Sequence, residues 1–142
     1  MRALGVDLGA RRIGLALSDP TRKVASPHEV LTRAAVAGDD YATILEVARD
    51  AGATTIVIGL PLSLSGRIGP AAKAALAEID ALRAAAPPEI EVVAHDERLT
   101  TVTAERSLKD ARVKRDARAR VVDKVAAAVM LQSWLDGETS KA

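Results

Sequence analysis

A chain of 142 residues is about one domain's worth, long enough to bury most of its apolar surface without a metal or a disulfide to hold it together. It has no cysteine, which excludes a disulfide framework and a thiolate zinc site, and only two histidines, His28 and His95, so carboxylates must supply any metal ligands. The formal net charge of +1, from 20 basic and 19 acidic residues, gives no whole-protein field that would select a polyanionic partner.

Asp7 interrupts the first apolar stretch too early for the apolar core of a signal peptide. The run Val125 to Leu131 is far short of the roughly 20 apolar residues that span a bilayer, so a soluble, cytoplasmic protein with no membrane partner is expected. In chain order, residues 2–8 and 12–19 are two apolar runs around the turn Gly9-Ala10-Arg11-Arg12, where Gly9 can take the positive φ a tight reversal needs, and this predicts a hairpin. Residues 23–31 can add a third antiparallel strand, which Pro27 weakens, so that it is expected near an edge or irregular.

Gly38-Asp39-Asp40 offers an N-cap for a helix of about 12 residues carrying Tyr41, Ile44, Leu45 and Ala48 at helical spacing, with Gly52 just past its end. The β-branched run 54–59 predicts a parallel strand covered by helices on both faces. A loop follows to Pro70, which opens an alanine-rich helix that ends before Pro87-Pro88. A short strand over 89–94, a helix over 99–108, a basic loop and a final helix over 120–135 complete the chain. Three antiparallel strands followed by parallel strands and helices predict an α/β mixed sheet in one domain over 1–142, an order that the ribonuclease H-like superfold uses.

Carboxylates stand at the rims of three core elements. Asp7 lies near the end of an otherwise apolar strand, where an ionised group needs a cation or several donors, although acceptance of turn N–H groups would also satisfy it. Asp96 and Glu97 lie at a strand's C-terminal edge, the usual place for ligand sites in α/β sheets; capping of the next helix is the alternative. Asp123 opens the last helix on the face of Ala127, Met130 and Trp134, where a first-turn carboxylate can also serve the helix dipole. Taken together, Asp7, Glu97 and Asp123 match what hard divalent cations require, and metal-activated hydrolysis of a phosphodiester needs no cysteine or histidine nucleophile. His95 and His28 read as structural.

The one dense positive segment runs from Lys109 to Arg120 and supplies Arg112, Lys114, Arg115 and Arg118 as candidate phosphate contacts; Arg11 and Arg12 of the first turn and Arg67, between Gly66 and Gly69, join them. The chain has no Phe, and Tyr41 and Trp134 are its only aromatics, so a nucleic acid would be read by backbone and shape rather than by stacking.

Four segments in order resemble the YqgF/RuvX family of bacterial proteins, which are similar to Holliday-junction resolvases and mostly described as pre-16S ribosomal RNA nucleases. They are Gly5-Val6-Asp7-Leu8-Gly9 with Arg12-Ile13-Gly14-Leu15-Ala16; Val57-Ile58-Gly59-Leu60-Pro61-Leu62 with Gly66; Asp96-Glu97-Arg98-Leu99-Thr100-Thr101; and Asp123-Lys124-Val125-Ala126-Ala127 with Leu131-Gln132-Ser133-Trp134-Leu135. The resemblance implies a ribonuclease H-like nuclease that holds Mg²⁺ or Mn²⁺ on Asp7, Glu97 and Asp123. It further implies an RNA substrate, in 5′-end processing of pre-16S rRNA. Branched DNA of the Holliday-junction type and a non-catalytic ribosome-assembly role are the alternatives, and the state is a monomer or a homodimer.

Overall fold

The computed structural model describes residues 1–61, 68–96 and 115–141, with side chains in the last segment described over 122–138. The expected helix over 99–108 lies outside these residues. The described elements are β1 (Arg2–Leu8), β2 (Arg12–Ser18), β3 (Ala25–Thr32), α1 (Ala37–Ala51), β4 (Ala53–Leu60), α2 (Pro70–Ala85), β5 (Glu91–Asp96) and α3 (Arg115–Lys141). They form a five-stranded sheet in the order β3-β2-β1-β4-β5, antiparallel across β1, β2 and β3 and parallel from β1 to β4 and from β4 to β5.

Alternation along the strands divides the side chains between two layers. Leu4, Val6, Ile13, Leu15, Ile56 and Ile58 pack with Ile44, Leu45 and Ala48 of α1 and with Ile79 and Leu82 of α2. Ala3, Ala16 and Val57 face the opposite way, onto Ala127, Ala128, Met130, Leu131 and Leu135 of α3. The first layer is filled by large branched side chains. In the second, β1 and β2 contribute small ones, Ala3 and Ala16 beside Gly5 and Gly14, so α3 can lie close to those strands.

Several sequence expectations shift. Gly9 does not take a positive φ: among the described glycines only Gly52 does, at 73° as the C-cap of α1. What Gly9 supplies is space, because a Cβ there would stand 2.5 Å from the carbonyl oxygen of Arg12, which accepts the Gly9 N–H at 3.0 Å. Helix α1 starts earlier than expected, after Val36, so Asp39 and Asp40 fall in its first turn, where the helix dipole favours acidic groups, and neither is the N-cap.

Pro27 lies on the edge strand β3 as expected, beside a bulge: Leu15 pairs with Glu29 and Ala16 with Pro27, which leaves His28 as the extra residue. The larger correction concerns α3, which begins at Arg115. Arg115-Asp116-Ala117-Arg118-Ala119-Arg120 contains neither Gly nor Pro and is rich in helix-forming Ala and Arg, so Arg115 and Arg118 belong to a helix and not to a basic loop. Asp123 therefore stands more than two turns inside the helix, beyond the reach of its N-terminal dipole, and does not open it.

Two glycines set how closely α3 approaches. A Cβ on Gly14 would lie 2.0 Å from the backbone oxygen of Asp123, and one on Gly5 would lie 2.8 Å from Cβ of Leu131. Gly14→Ala should therefore destabilise the fold by about 2 kcal/mol or more in urea unfolding, since the obstacle is helix backbone that cannot turn aside. Gly38→Ala, with nothing within 4 Å, should be neutral or slightly stabilising. Equal effects at the two positions would contradict this seating of α3.

Candidate active site

Asp7 shares the face of Ala3 and Gly5, the face that α3 covers, and its cross-strand partner is Gly14. Because Gly14 has no side chain, the Asp123 backbone rests on β2 directly beside the residue paired with Asp7. Two carboxylates 116 positions apart in sequence are thus brought to neighbouring places on one side of the sheet.

Arg12, two residues before Gly14 on the same face, donates from Nε to Oδ2 of Asp123 at 2.7 Å, with the two side chains 33% and 22% exposed. Gly9, Ala10, Arg11, Arg12 and Asp123 line an open pocket of about 250 Å³ at the end of this face. It presents one carboxylate, one exposed arginine and one half-buried arginine, a mixture suited to an anion held beside a cation.

The turn that forms this pocket is anchored from the other layer by Arg33. The Arg33 N–H donates to the Arg11 carbonyl at 2.9 Å, and Nε donates to the Gly9 carbonyl at 3.0 Å. Nη1 and Nη2 reach the two carboxylate oxygens of Glu78 on α2 at 2.5 and 2.9 Å. The Tyr41 hydroxyl donates to the same Glu78 at 3.1 Å. Asp40 accepts the Ala34 N–H at 2.9 Å through Oδ1; its buried Oδ2 has no hydrogen bond and lies 3.6 Å from Arg33 Nη1, whose charge compensates it. The Arg33 hydrogen bonds hold Glu78 below the usual carboxylate range, and Glu78 in turn raises Arg33. Sequence reading missed both residues: no local pattern announces a pair 45 positions apart.

At the far side of the face, His95 on β5 places Nε2 3.0 Å from Oγ of Ser133 on α3. Burial lowers its pKa, against the opposing pull of Asp96. His95 thus ties β5 to α3. Asp96 has the parity of Val92, and its partner Leu60 packs with the α1 and α2 layer, so Asp96 lies on the side of the sheet opposite Asp7.

Of the other expected site residues, Glu97, Arg67, Arg112 and Lys114 lie outside the described residues, as do the side chains of Arg115 and Arg118. Among the described residues no group of three or more His, Asp or Glu is placed to hold a metal ion. What the described structure brings together in one pocket is Asp123, Arg11 and Arg12, with Asp7 on the same face of the sheet.

The chain as a whole is similar to known proteins. A family model described as RuvX, Holliday junction resolvase, matches residues 1–137. A Roseiflexus sp. (strain RS-1) protein named "Putative pre-16S rRNA nuclease" is 43% identical over 137 residues, covering 96% of this chain and 95% of its own. An Acidiphilium cryptum protein of the same name is 44% identical over 135 residues, covering 95% and 84%. Among solved structures, Thermus thermophilus RuvC in complex with a Holliday junction superposes with a TM-score of 0.60 at 19% identity, covering 100% of this chain and 98% of that one. The fowlpox virus resolvase bound to junction DNA gives 0.56 at 10% identity, covering 97% and 99%. At such identities the likeness is one of fold, the ribonuclease H-like mixed sheet of the resolvases.

The Arg33–Glu78 clamp carries a pH signature. Glu78 has a folded pKa below its ordinary 4.5, so its stabilisation is complete above that value and is lost as pH falls through the folded pKa. Glu78→Gln should be less stable than wild type by about 1–2 kcal/mol in urea at pH 7, and the gap should close as pH falls below the ordinary value. A gap of constant size from pH 7 to pH 3 would contradict the assignment.

Proposed function

The chain belongs to the RuvX family, and from that premise we propose that it is a divalent-metal-dependent nuclease of the cytoplasm, one ribonuclease H-like domain over 1–142 that acts on RNA in maturation of the 5′ end of pre-16S rRNA. The observation that carries this reading is the placement of Asp7 and Asp123 on one face of the sheet, with Asp123 in a pocket that Arg11 and Arg12 also line.

The residues present suit Mg²⁺ or Mn²⁺. Both are hard cations that take carboxylate oxygens, and Asp7 and Asp123 offer two carboxylates on one face of the sheet. A cation held by these carboxylates would supply activation of water and neutralisation of charge on the scissile phosphate. Asp7 and Asp123 are held by backbone elements, a strand and a helix interior, so their carboxylates are positioned without a loop having to order. Glu97 completes the acidic set in this reading.

Arg11 and Arg12 orient the phosphate on the pocket side, where a guanidinium can give two parallel N–H bonds to phosphate oxygens. Arg67, Arg112, Lys114, Arg115 and Arg118 extend contact along the nucleic-acid backbone, and Arg33 keeps the turn in place from behind. The names of the relatives support an RNA substrate, and the family description supports branched DNA as the second reading, in which a homodimer would suit a symmetric junction.

The test is cleavage of a labelled precursor 16S rRNA fragment and of a four-way DNA junction with Mn²⁺, Mg²⁺ or chelator, using wild type, Asp7→Asn and Asp123→Asn. Metal-dependent cutting of the RNA is expected, reduced on the order of 100-fold or more in each variant. Cutting of the junction alone would move the substrate to DNA. Binding without cutting of either would overturn the nuclease in favour of an assembly role.

A further inference from the structure

We propose that Arg12 is the residue that sets cation affinity at this site: its guanidinium occupies the Asp123 carboxylate that the metal requires, so that metal loading and release of Arg12 to the phosphate pocket are one coupled event. The inference rests on the reading of Asp7 and Asp123 as a metal site.

Three observations carry it. First, the contact is built into the fold. Asp123 is fixed to β2 by the backbone approach at Gly14, and Arg12 leaves the same strand two residues earlier, so this is no chance meeting of two surface side chains. Second, the bond is short, 2.7 Å, and both partners are more than half shielded from water, so it survives the screening that dissolves most surface ion pairs. Third, Arg12 and Asp123 line the same pocket as Arg11, which places the guanidinium within reach of an anion seated there.

The chemistry then gives Arg12 two acceptors, the Asp123 carboxylate and a phosphate. A guanidinium carries five N–H donors, and the contact with Asp123 uses Nε, which leaves the paired Nη groups for a bidentate phosphate contact. A divalent cation on Asp123 and the guanidinium of Arg12 repel each other, so each weakens the other's hold on the carboxylate. A phosphate engaged by the Nη groups competes with Asp123 for the guanidinium's charge, loosens the Nε contact and thereby strengthens cation binding. By linkage, the cation strengthens phosphate binding to the same degree. The site in this form disfavours a cation until a phosphodiester arrives.

The opposing account makes Arg12 a fixed orienting partner that holds Asp123 in its ligating position. The two differ in sign. Titration of Mn²⁺ into the full-length protein by calorimetry, at fixed ionic strength and without nucleic acid, is expected to show Arg12→Gln binding about tenfold more tightly than wild type, with Arg12→Lys near wild type because the charge is kept. Thermal unfolding of each variant verifies that it is folded, and Arg12→Lys serves as the folded control should Arg12→Gln lose stability. Binding that depends on Asp7, as judged with Asp7→Asn, but is unchanged or weakened in Arg12→Gln and in Arg12→Lys alike overturns the coupling and leaves the metal site intact. Wild-type binding that is absent, or equal in Asp7→Asn, overturns both.

Discussion

Backbone of α3 meets backbone of β2 at Gly14, and the rest of the site depends on that approach. A helix normally stands off a sheet by the length of two side chains, but here the sheet contributes hydrogen atoms at Gly5 and Gly14 and methyl groups at Ala3 and Ala16. The helix therefore settles until its own carbonyl touches the strand, and Asp123 is carried down with it. A residue of a helix interior and one of a central strand are thereby brought to the same face of the sheet, each next to Gly14. The two layers divide the work: large branched side chains fill the α1 and α2 side, and the α3 side is small and close.

Charge is balanced in two stages through the turn between β1 and β2. On the site side, Arg12 answers Asp123; on the far side, Arg33 reaches two carbonyls of the same turn and ends on Glu78 and near Asp40. The turn is held between two guanidinium groups that serve different layers. Asp40 and Glu78 thus contribute to the site without touching it, by fixing the residue that fixes the turn. At the opposite end of the sheet a separate set of contacts closes the structure. Asp19 accepts N–H groups of Thr21, Lys23 and Val24 and the Thr21 hydroxyl, while Arg22 crosses to Thr54 and Thr55 and lies 5.8 Å from the ring centroid of Trp134. The Asp19 carboxyl is held well below the usual range, the Thr21 hydroxyl being the largest cause.

What the sequence made legible follows from the range of the signals. The β1–β2 hairpin, the buried parallel strand β4, the edge position given to β3 by Pro27 and the Pro70 start of α2 are encoded within a few residues, as periodicity or turn chemistry, and each lies where that chemistry puts it. Asp7 and Asp123 stood out as carboxylates on apolar faces, and the structure brings them to one side. The misplaced start of α3 arose from reading basic charge as loop, although Arg and Ala favour helix; the error made Asp123 look like a dipole partner. Gly9 offers backbone freedom to a turn, but the fold uses its missing Cβ. Arg33, Glu78 and the role of Gly14 depend on contacts between residues 45 and 109 positions apart, which no window along the chain contains.

The central claim is that Asp7 and Asp123 form one cation site, and the direct measurement is a crystal structure of the protein grown with Mn²⁺, read by anomalous scattering. The account predicts an anomalous peak within coordination distance, about 2.1–2.3 Å, of carboxylate oxygens of both Asp7 and Asp123, lost in crystals of Asp7→Asn. A Mn²⁺ peak elsewhere on the surface, or Asp123 still paired with Arg12 and no peak beside Asp7 at saturating Mn²⁺, would contradict it.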